Sequence, residues 1–290
     1  MPELAEVELA RRHWHPAVGQ EVLRVDTHPK TRVFRDCPAR QIRQSLTSRT
    51  LTATRAHGKR LLFSFSPPVT HHQSPMTGEE LHLELHLGMA GRLFAAPPGH
   101  AVEKHDHLIL RTATCSLVFN DYRQFGRLQL HGGDNDPWAS LPPGILDRAF
   151  TLRRVTTLVD HRPRTALKAL LLDQSAFPGI GNWMADEICW KLRAHPSTPA
   201  GKVDPAALRR ITRQVTRGAI RHVADKNAAT SKICAEGFAP GSYVHLVPPS
   251  SWLFQHRWKP GGSCPRCHSA LGRATIASRT TAWCPQCQVM

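Results

Sequence analysis

Leu4, Val7, Ala10 and Trp14 fall at helical spacing, which predicts a short amphipathic helix at the start of the chain. From about Glu21 to Leu130 the pattern changes to a period of two. Leu81 to Leu87 alternates strictly between apolar and polar residues, and Arg60 to Phe65, His107 to Arg111, Ser116 to Asn120 and Arg127 to Leu130 read as further strands. Many short strands broken by Pro and Gly predict an antiparallel sandwich or barrel. Gly132 to Gly144 is rich in turn formers and reads as a linker. Beyond it the period is helical. Thr165 to Leu172 and Asn182 to Leu192 are two segments, and a third runs from the N-cap Asp204, with Pro205 at the first helical position, to about Ala224. Its apolar stripe is Leu208, Ile211, Val215 and Val223, while Arg209, Arg210, Arg213, Arg217 and Arg221 cover much of the rest, as they would on a merely solvated helix. Residues 226 to 262 show no clear period and read as a long loop, a feature that is often functional in compact domains.

Composition narrows the class. The 290 residues suffice for about two domains, and 41% hydrophobic with 21% charged residues is a globular balance. No apolar run approaches the roughly 20 residues that span a bilayer. The first residues lack an apolar signal region, so a cytoplasmic protein is expected, nucleoid-associated if bacterial. Lys and Arg number 38 against 22 Asp and Glu, a net charge of +16 whose field favours a polyanionic partner.

Four of the eight cysteines, Cys37, Cys115, Cys189 and Cys234, are isolated and read as small apolar residues. The others form two Cys-x2-Cys pairs, Cys264 with Cys267 and Cys284 with Cys287, separated by sixteen residues. Two such knuckles suit one tetrahedral Zn2+. Disulfides would use the same residues, but nothing in the chain points to an oxidising compartment. With four thiolates no coordination position is left for water, so the expected zinc is structural.

The N-terminus offers chemistry. Met before Pro favours removal of Met1, which leaves Pro2 as a secondary amine able to attack an electrophilic carbon, with Glu3 beside it as acid or base. An ordinary helix start would use the same residues, Glu3 and Glu6 complementing its dipole.

Five motifs in order settle between these readings: MPELAEVE at residues 1–8, His86-Leu-Gly-Met-Ala-Gly91, Asp121-Tyr-Arg-Gln-Phe-Gly126, Pro178-Gly-Ile-Gly-Asn182, and the Cys264 to Cys287 segment with its Arg279-Thr-Thr-Ala-Trp run. In these the chain resembles the formamidopyrimidine-DNA glycosylase/endonuclease VIII family, most closely its formamidopyrimidine branch. The resemblance runs from residue 1 to residue 288. It implies an α+β fold: an N-terminal helix with an antiparallel β-sandwich catalytic domain (1–131), a linker (132–145), a helix-two-turns-helix DNA-binding domain with a lesion-capping loop region (146–262) and a four-Cys zinc hairpin (263–290). It also implies a bifunctional base-excision repair enzyme that removes an oxidised base from double-stranded DNA and cuts the strand at the resulting abasic site; one molecule per lesion needs only a monomer. Pro2 matches the nucleophile that forms a Schiff base, Glu3 the catalytic acid, Glu6 a second acidic position, and Lys59 a lysine near the target sugar and phosphate. Met89, Arg123 and Phe125 match the side chains that fill the space left by a flipped nucleotide. Lys168 and Asn182 match phosphate-contacting positions, where Gly179 to Asn182 leads into a helix whose N–H groups can face a phosphate. Arg279 matches the arginine of the zinc hairpin.

The departures are informative. Ala5 replaces the family's usual Pro, and Tyr122-Arg123-Gln124 replaces Pro-Arg-Arg, removing one cation. Lys226 to Trp258 does not align with the loop that caps 8-oxoguanine in bacterial members, and Gly181 to Glu187 is similar to plant-like members. Formamidopyrimidines, hydantoins and abasic sites are therefore expected ahead of 8-oxoguanine. Two alternatives are a damage-binding protein without catalysis, which would need none of Pro2, Glu3 and Lys59, and an endonuclease VIII-like enzyme for oxidised pyrimidines. Metal-dependent hydrolysis has only the His105-Asp-His107 and His71-His72 pairs in its favour.

Overall fold

The computed structural model describes residues 2–68, 79–133, 135–225, 246–258 and 260–289, with the side chains of 223–225 excluded. Met1, the His71-His72 pair, Cys234, the Val223 side chain and most of the expected capping-loop region lie outside the described residues. The chain forms two compact units, one built on residues 6–140 and the other on 141–223 and 246–290, together with Glu3 to Ala5.

In the first unit, α1 (Leu4–Trp14) buries Val7, Ala10 and Trp14 as its spacing predicts. Two four-stranded antiparallel sheets follow. One has the order β1 (Arg24–Thr27), β6 (Asp106–Arg111), β7 (Ser116–Asn120), β5 (Arg92–Ala96), and the other β2 (Thr50–His57), β3 (Arg60–Ser66), β4 (Leu81–His86), β8 (Arg127–Gly132). Their inner faces share one core: Leu61, Phe63, Leu83, Leu85 and Leu128 from one sheet meet Leu93, Leu108, Leu110, Leu117 and Phe119 from the other. This is the sandwich of the two options that the alternation left open. In β4 the alternation has one exception. His82 is buried on the face where a polar residue is expected to see water, and its Nδ1 lies 2.9 Å from Ser64 Oγ on the neighbouring strand.

The period-two reading misses α2 (Ala39–Leu46). Its buried residues, Ile42 and Leu46, are four apart, a spacing that fits either period. The turn-rich stretch after β8 is partly packed: Trp138 is buried, its indole N–H donates to Glu84 at 3.3 Å, and Arg55 pairs with Asp136 at 2.9 Å.

The second unit contains α3 (Leu152–His161), α4 (Leu167–Leu172), α5 (Asn182–Lys191), α6 (Pro205–Asp225) and the hairpin β9 (Gly272–Ile276) with β10 (Arg279–Trp283). Asp204 caps α6, its carboxylate accepting from the N–H groups of Ala206 and Ala207. The arginine face of α6 is not simply solvated. Arg209 donates to the Phe150 carbonyl at 2.7 Å, and Arg213 donates to those of Ile145, Leu146 and Asp147, fixing the turn ahead of α3. Among the described residues no helix is long and apolar enough to cross a membrane.

Candidate functional site

Pro2 is half-buried, and Glu6 is half-buried on α1. Glu3 is buried, and its carboxylate accepts from the backbone N–H groups of Gly181 (2.9 Å), Trp183 (2.9 Å) and Met184 (3.0 Å). These are donors at the open end of α5, where a helix favours an anion. Gly181 is required: a Cβ there would collide with the Glu3 side chain. The expectation that this helix end presents its N–H groups to a phosphate is narrowed: Glu3 takes those of Gly181, Trp183 and Met184. What remains at that end are the Asn182 backbone N–H and side chain. Asn182 Nδ2 donates to the Thr280 carbonyl at 2.9 Å, while its buried Oδ1 has no partner among the described residues.

In the first unit, Lys59 is half-buried in the two-residue turn between β2 and β3. The neighbouring His86 accepts from the Gly88 N–H at 3.0 Å. Burial, followed by the charges of Lys59, Arg60 and Arg127, lowers its pKa. Sequence reading used His86 only to mark a motif. The next loop turns at Gly88, whose φ is +64° and where a Cβ would collide with the Phe125 backbone. That close approach brings the Met89 loop against the loop 121–126. Asp121, fully buried, organises the second loop by accepting from the N–H groups of Arg123 (3.1 Å) and Gly126 (2.7 Å). On this pinned backbone Met89 is 42% and Phe125 47% exposed, and the exposed Arg123 guanidinium lies 4.9 Å from the Phe125 ring centroid. Tyr122, 57% exposed, joins them. Gln124, in place of the family's cation, turns inward and accepts from the Arg32 N–H at 3.2 Å.

In the second unit Arg279 is exposed directly after the hairpin turn, where Ala277 and Ser278 both have positive φ. Lys168 corrects an expectation. It is fully buried, and its ammonium donates to Asp186 Oδ1 (2.6 Å), Thr281 Oγ1 (2.7 Å) and the Thr280 carbonyl (3.4 Å), so it has no surface to offer a phosphate. Asp186 also holds Arg257, at 2.6 Å from Nη2, and accepts from the Ala282 N–H. Arg257 lies in the loop region that sequence reading left without structure. Nearby Glu187 is fully buried. Burial pushes its carboxyl up to about 7, against the opposing pull of Lys191 at 3.3 Å and the Phe254 N–H at 3.1 Å.

Cys264, Cys267, Cys284 and Cys287 bring their sulfurs within 4.8 Å of one another and form no disulfide. Backbone N–H groups of Arg266 and Cys287 point at the sulfurs of Cys264 and Cys284, and the Trp190 indole N–H also points at Cys264. Such donors stabilise thiolates, and four soft thiolates fit a tetrahedral metal. Among the described residues this is the only group of three or more such ligands. His105 and His107 do not form another: His107 is buried in β6 with Nε2 2.8 Å from the Asp121 carbonyl, and His105 precedes the strand. Cys37, Cys115 and Cys189 are buried, as expected for small apolar residues.

Residues 1–128 match the family described as formamidopyrimidine-DNA glycosylase N-terminal domain, and residues 141–232 match the formamidopyrimidine-DNA glycosylase H2TH domain. The chain is 30% identical over 297 residues to a formamidopyrimidine-DNA glycosylase of Exiguobacterium sibiricum, covering 99% of both chains. It is 32% identical over 302 residues to one from Alkalilimnicola ehrlichii, covering 99% of this chain and all of the relative. In structure it is similar to the wild-type Lactococcus lactis Fpg in complex with a DNA containing N7-benzyl-Fapy-dG (TM-score 0.77, 25% identity, 99% of each chain). It is similar also to that protein's complex with a DNA containing an oxidised pyrimidine (TM-score 0.78, 24% identity, 99% of each chain).

Proposed function

Because the chain belongs to the formamidopyrimidine-DNA glycosylase family, we propose that it is a bifunctional glycosylase and abasic-site lyase acting on duplex DNA with oxidised bases. The observation that carries this reading is the exposed set of Met89, Arg123 and Phe125 on a backbone pinned by Asp121. Folding gains little from such exposure. A duplex with one nucleotide flipped out gives all three a place, the apolar pair against the stack and the guanidinium on the orphaned base.

The chemistry rests on Pro2 after removal of Met1. Its secondary amine attacks C1′, the damaged base departs as the C1′–N bond breaks, and sugar ring opening gives an iminium. The iminium acidifies the C2′ proton, and loss of that proton expels the 3′ phosphate in β-elimination; δ-elimination then releases the 5′ phosphate. Glu3, held as a carboxylate at a fixed position by the three N–H groups of α5, takes the proton that the Pro2 nitrogen loses on attack and returns it to the ring oxygen as the sugar opens. Lys59 meets the phosphate near the target sugar, and Arg279 and Asn182 grip the flanking phosphates. The four cysteines would hold one Zn2+, which with four thiolate ligands would brace the hairpin and leave no place for a reactive water. The protein acts as a monomer, and ring-opened purines, hydantoins and abasic sites are its preferred substrates.

The test uses the full-length protein, its N-terminal mass checked, on 5′-labelled duplexes bearing an abasic site or single oxidised bases, with borohydride present. A covalent adduct that peptide mapping places on the Pro2 nitrogen, together with strand cleavage, is expected. Salt-sensitive binding with neither adduct nor cleavage, despite removal of Met1, would leave a lesion-binding protein instead.

A further inference from the structure

We infer that Lys168 is a positioning residue that sets Arg279 and Asn182 in register for phosphate without touching DNA itself, an inference that rests on the proposed phosphate grip of those two side chains. β10 is one edge of a two-stranded sheet. Because Ile276 and Arg279 flank a two-residue turn, the backbone groups of Thr280 and Ala282 point away from β9 and need partners elsewhere. Side chains of the second unit supply them. Ala282 N–H donates to Asp186 Oδ2 at 3.1 Å, and the Thr280 carbonyl accepts from Asn182 Nδ2 at 2.9 Å, Lys168 Nζ at 3.4 Å and Arg257 Nη2 at 3.5 Å.

Lys168 reaches Arg279 by one further step. Its ammonium donates to Thr281 Oγ1 at 2.7 Å, and that hydroxyl spends its single proton on the Arg279 carbonyl at 3.0 Å. The chain Asp186–Lys168–Thr281–Arg279 therefore ends on the backbone of the exposed arginine, and the same lysine shares an acceptor with Asn182. An ammonium has three donors, and all three are engaged inside the fold. A buried ion pair is not needed for stability as such, since apolar packing of the same volume serves as well. Its specific product here is alignment of a strand edge.

The experiment measures Kd of the full-length, zinc-loaded protein for a duplex carrying a tetrahydrofuran abasic analogue over a range of salt. Arg279→Ala should lower the slope of log Kd against log salt by about one, the signature of one lost phosphate contact. Lys168→Met should raise Kd about tenfold and lower the slope by the same amount, and the double variant should lower it no further. Thr281→Val should repeat the Lys168→Met effect in weaker form while leaving the ion pairs intact, and Thr281→Ser should restore wild-type binding. Thr281→Val also carries the test if Lys168→Met does not fold. Additive slopes in the double variant would overturn the inference by showing that Lys168 makes its own contact. A wild-type slope in folded Lys168→Met or in Thr281→Val would overturn it by showing no coupling. An unchanged slope in Arg279→Ala alone would remove the phosphate-grip reading beneath it, and is read separately.

Discussion

The two units present their functional side chains by opposite means. In the first, the backbone is fixed by Asp121 and by the close approach at Gly88, and Met89, Arg123 and Phe125 are left with few neighbours. In the second, charged groups are drawn inside: Lys168, Asp186, Glu187 and Arg257 are buried, and Arg279 and Asn182 sit at the margin of their network. Side chains that must enter another molecule cost little stability to hold outside, whereas aligning a small hairpin that has almost no apolar core takes directional bonds. Removing a residue should therefore separate function from folding in the first unit and join them in the second.

The sharpest break comes at Asp186. Asp186→Ala leaves Lys168 and Arg257 buried without their shared anion, and a loss of about 3–5 kcal/mol is expected in denaturant unfolding. A loss below about 1 kcal/mol would mean that the network is dispensable to the fold.

Glu187 gives an intermediate effect with a definite pH signature. Its ordinary value is 4.5 and burial raises it to about 7 in the folded chain. Between these values the native state binds more protons than the unfolded state, so stability falls as pH rises from about 4.5 to about 7 and the loss is complete above that. Glu187→Gln cannot titrate, and its stability relative to wild type should climb by about 1–3 kcal/mol between pH 5 and pH 8, read from melting curves across pH. A difference that does not vary with pH would contradict the burial argument.

The smallest stability effect is expected at Phe125. Phe125→Ala should change stability by no more than about 0.5 kcal/mol, since the ring is half-exposed, while excision from a lesion duplex drops about tenfold or more and cleavage of a pre-formed abasic site falls less. Equal loss on both substrates would place the ring elsewhere than in flipping.

These contrasts also explain what could be read from the chain alone. Local signals carried far: the apolar spacing of α1, the boundaries of β7, the Asp204 cap and the two Cys-x2-Cys pairs are all encoded within a few residues. Met89, Arg123 and Phe125 were singled out through the family resemblance of their loops, since the alternation around Met89 alone reads as core, and their exposure is what the structure adds. Lys168 was not, because its partners Asp186 and Thr281 lie 18 and 113 residues away, and nothing near a lysine in sequence says whether its charge faces water. Helix α3 was legible in principle from the Thr151 cap and the Val155–Val159 pair, but those two apolar positions are few for a helix ten residues long. Strand β1, at four residues with one buried, offers too few positions for any period to show.

The seating of Glu3 on α5 has a consequence for how this protein can be divided. The bond from Gly181 to Glu3 spans 178 residues, so the acid beside the proposed nucleophile is folded as part of the far half of the chain. A fragment ending near residue 140 would still begin with Pro2 yet lack the helix that holds its neighbour. Cutting the gene at that seam would part Glu3 from the α5 N–H groups that hold it. Any piece meant to keep this acid seated must therefore carry the first few residues along with residues 141–223.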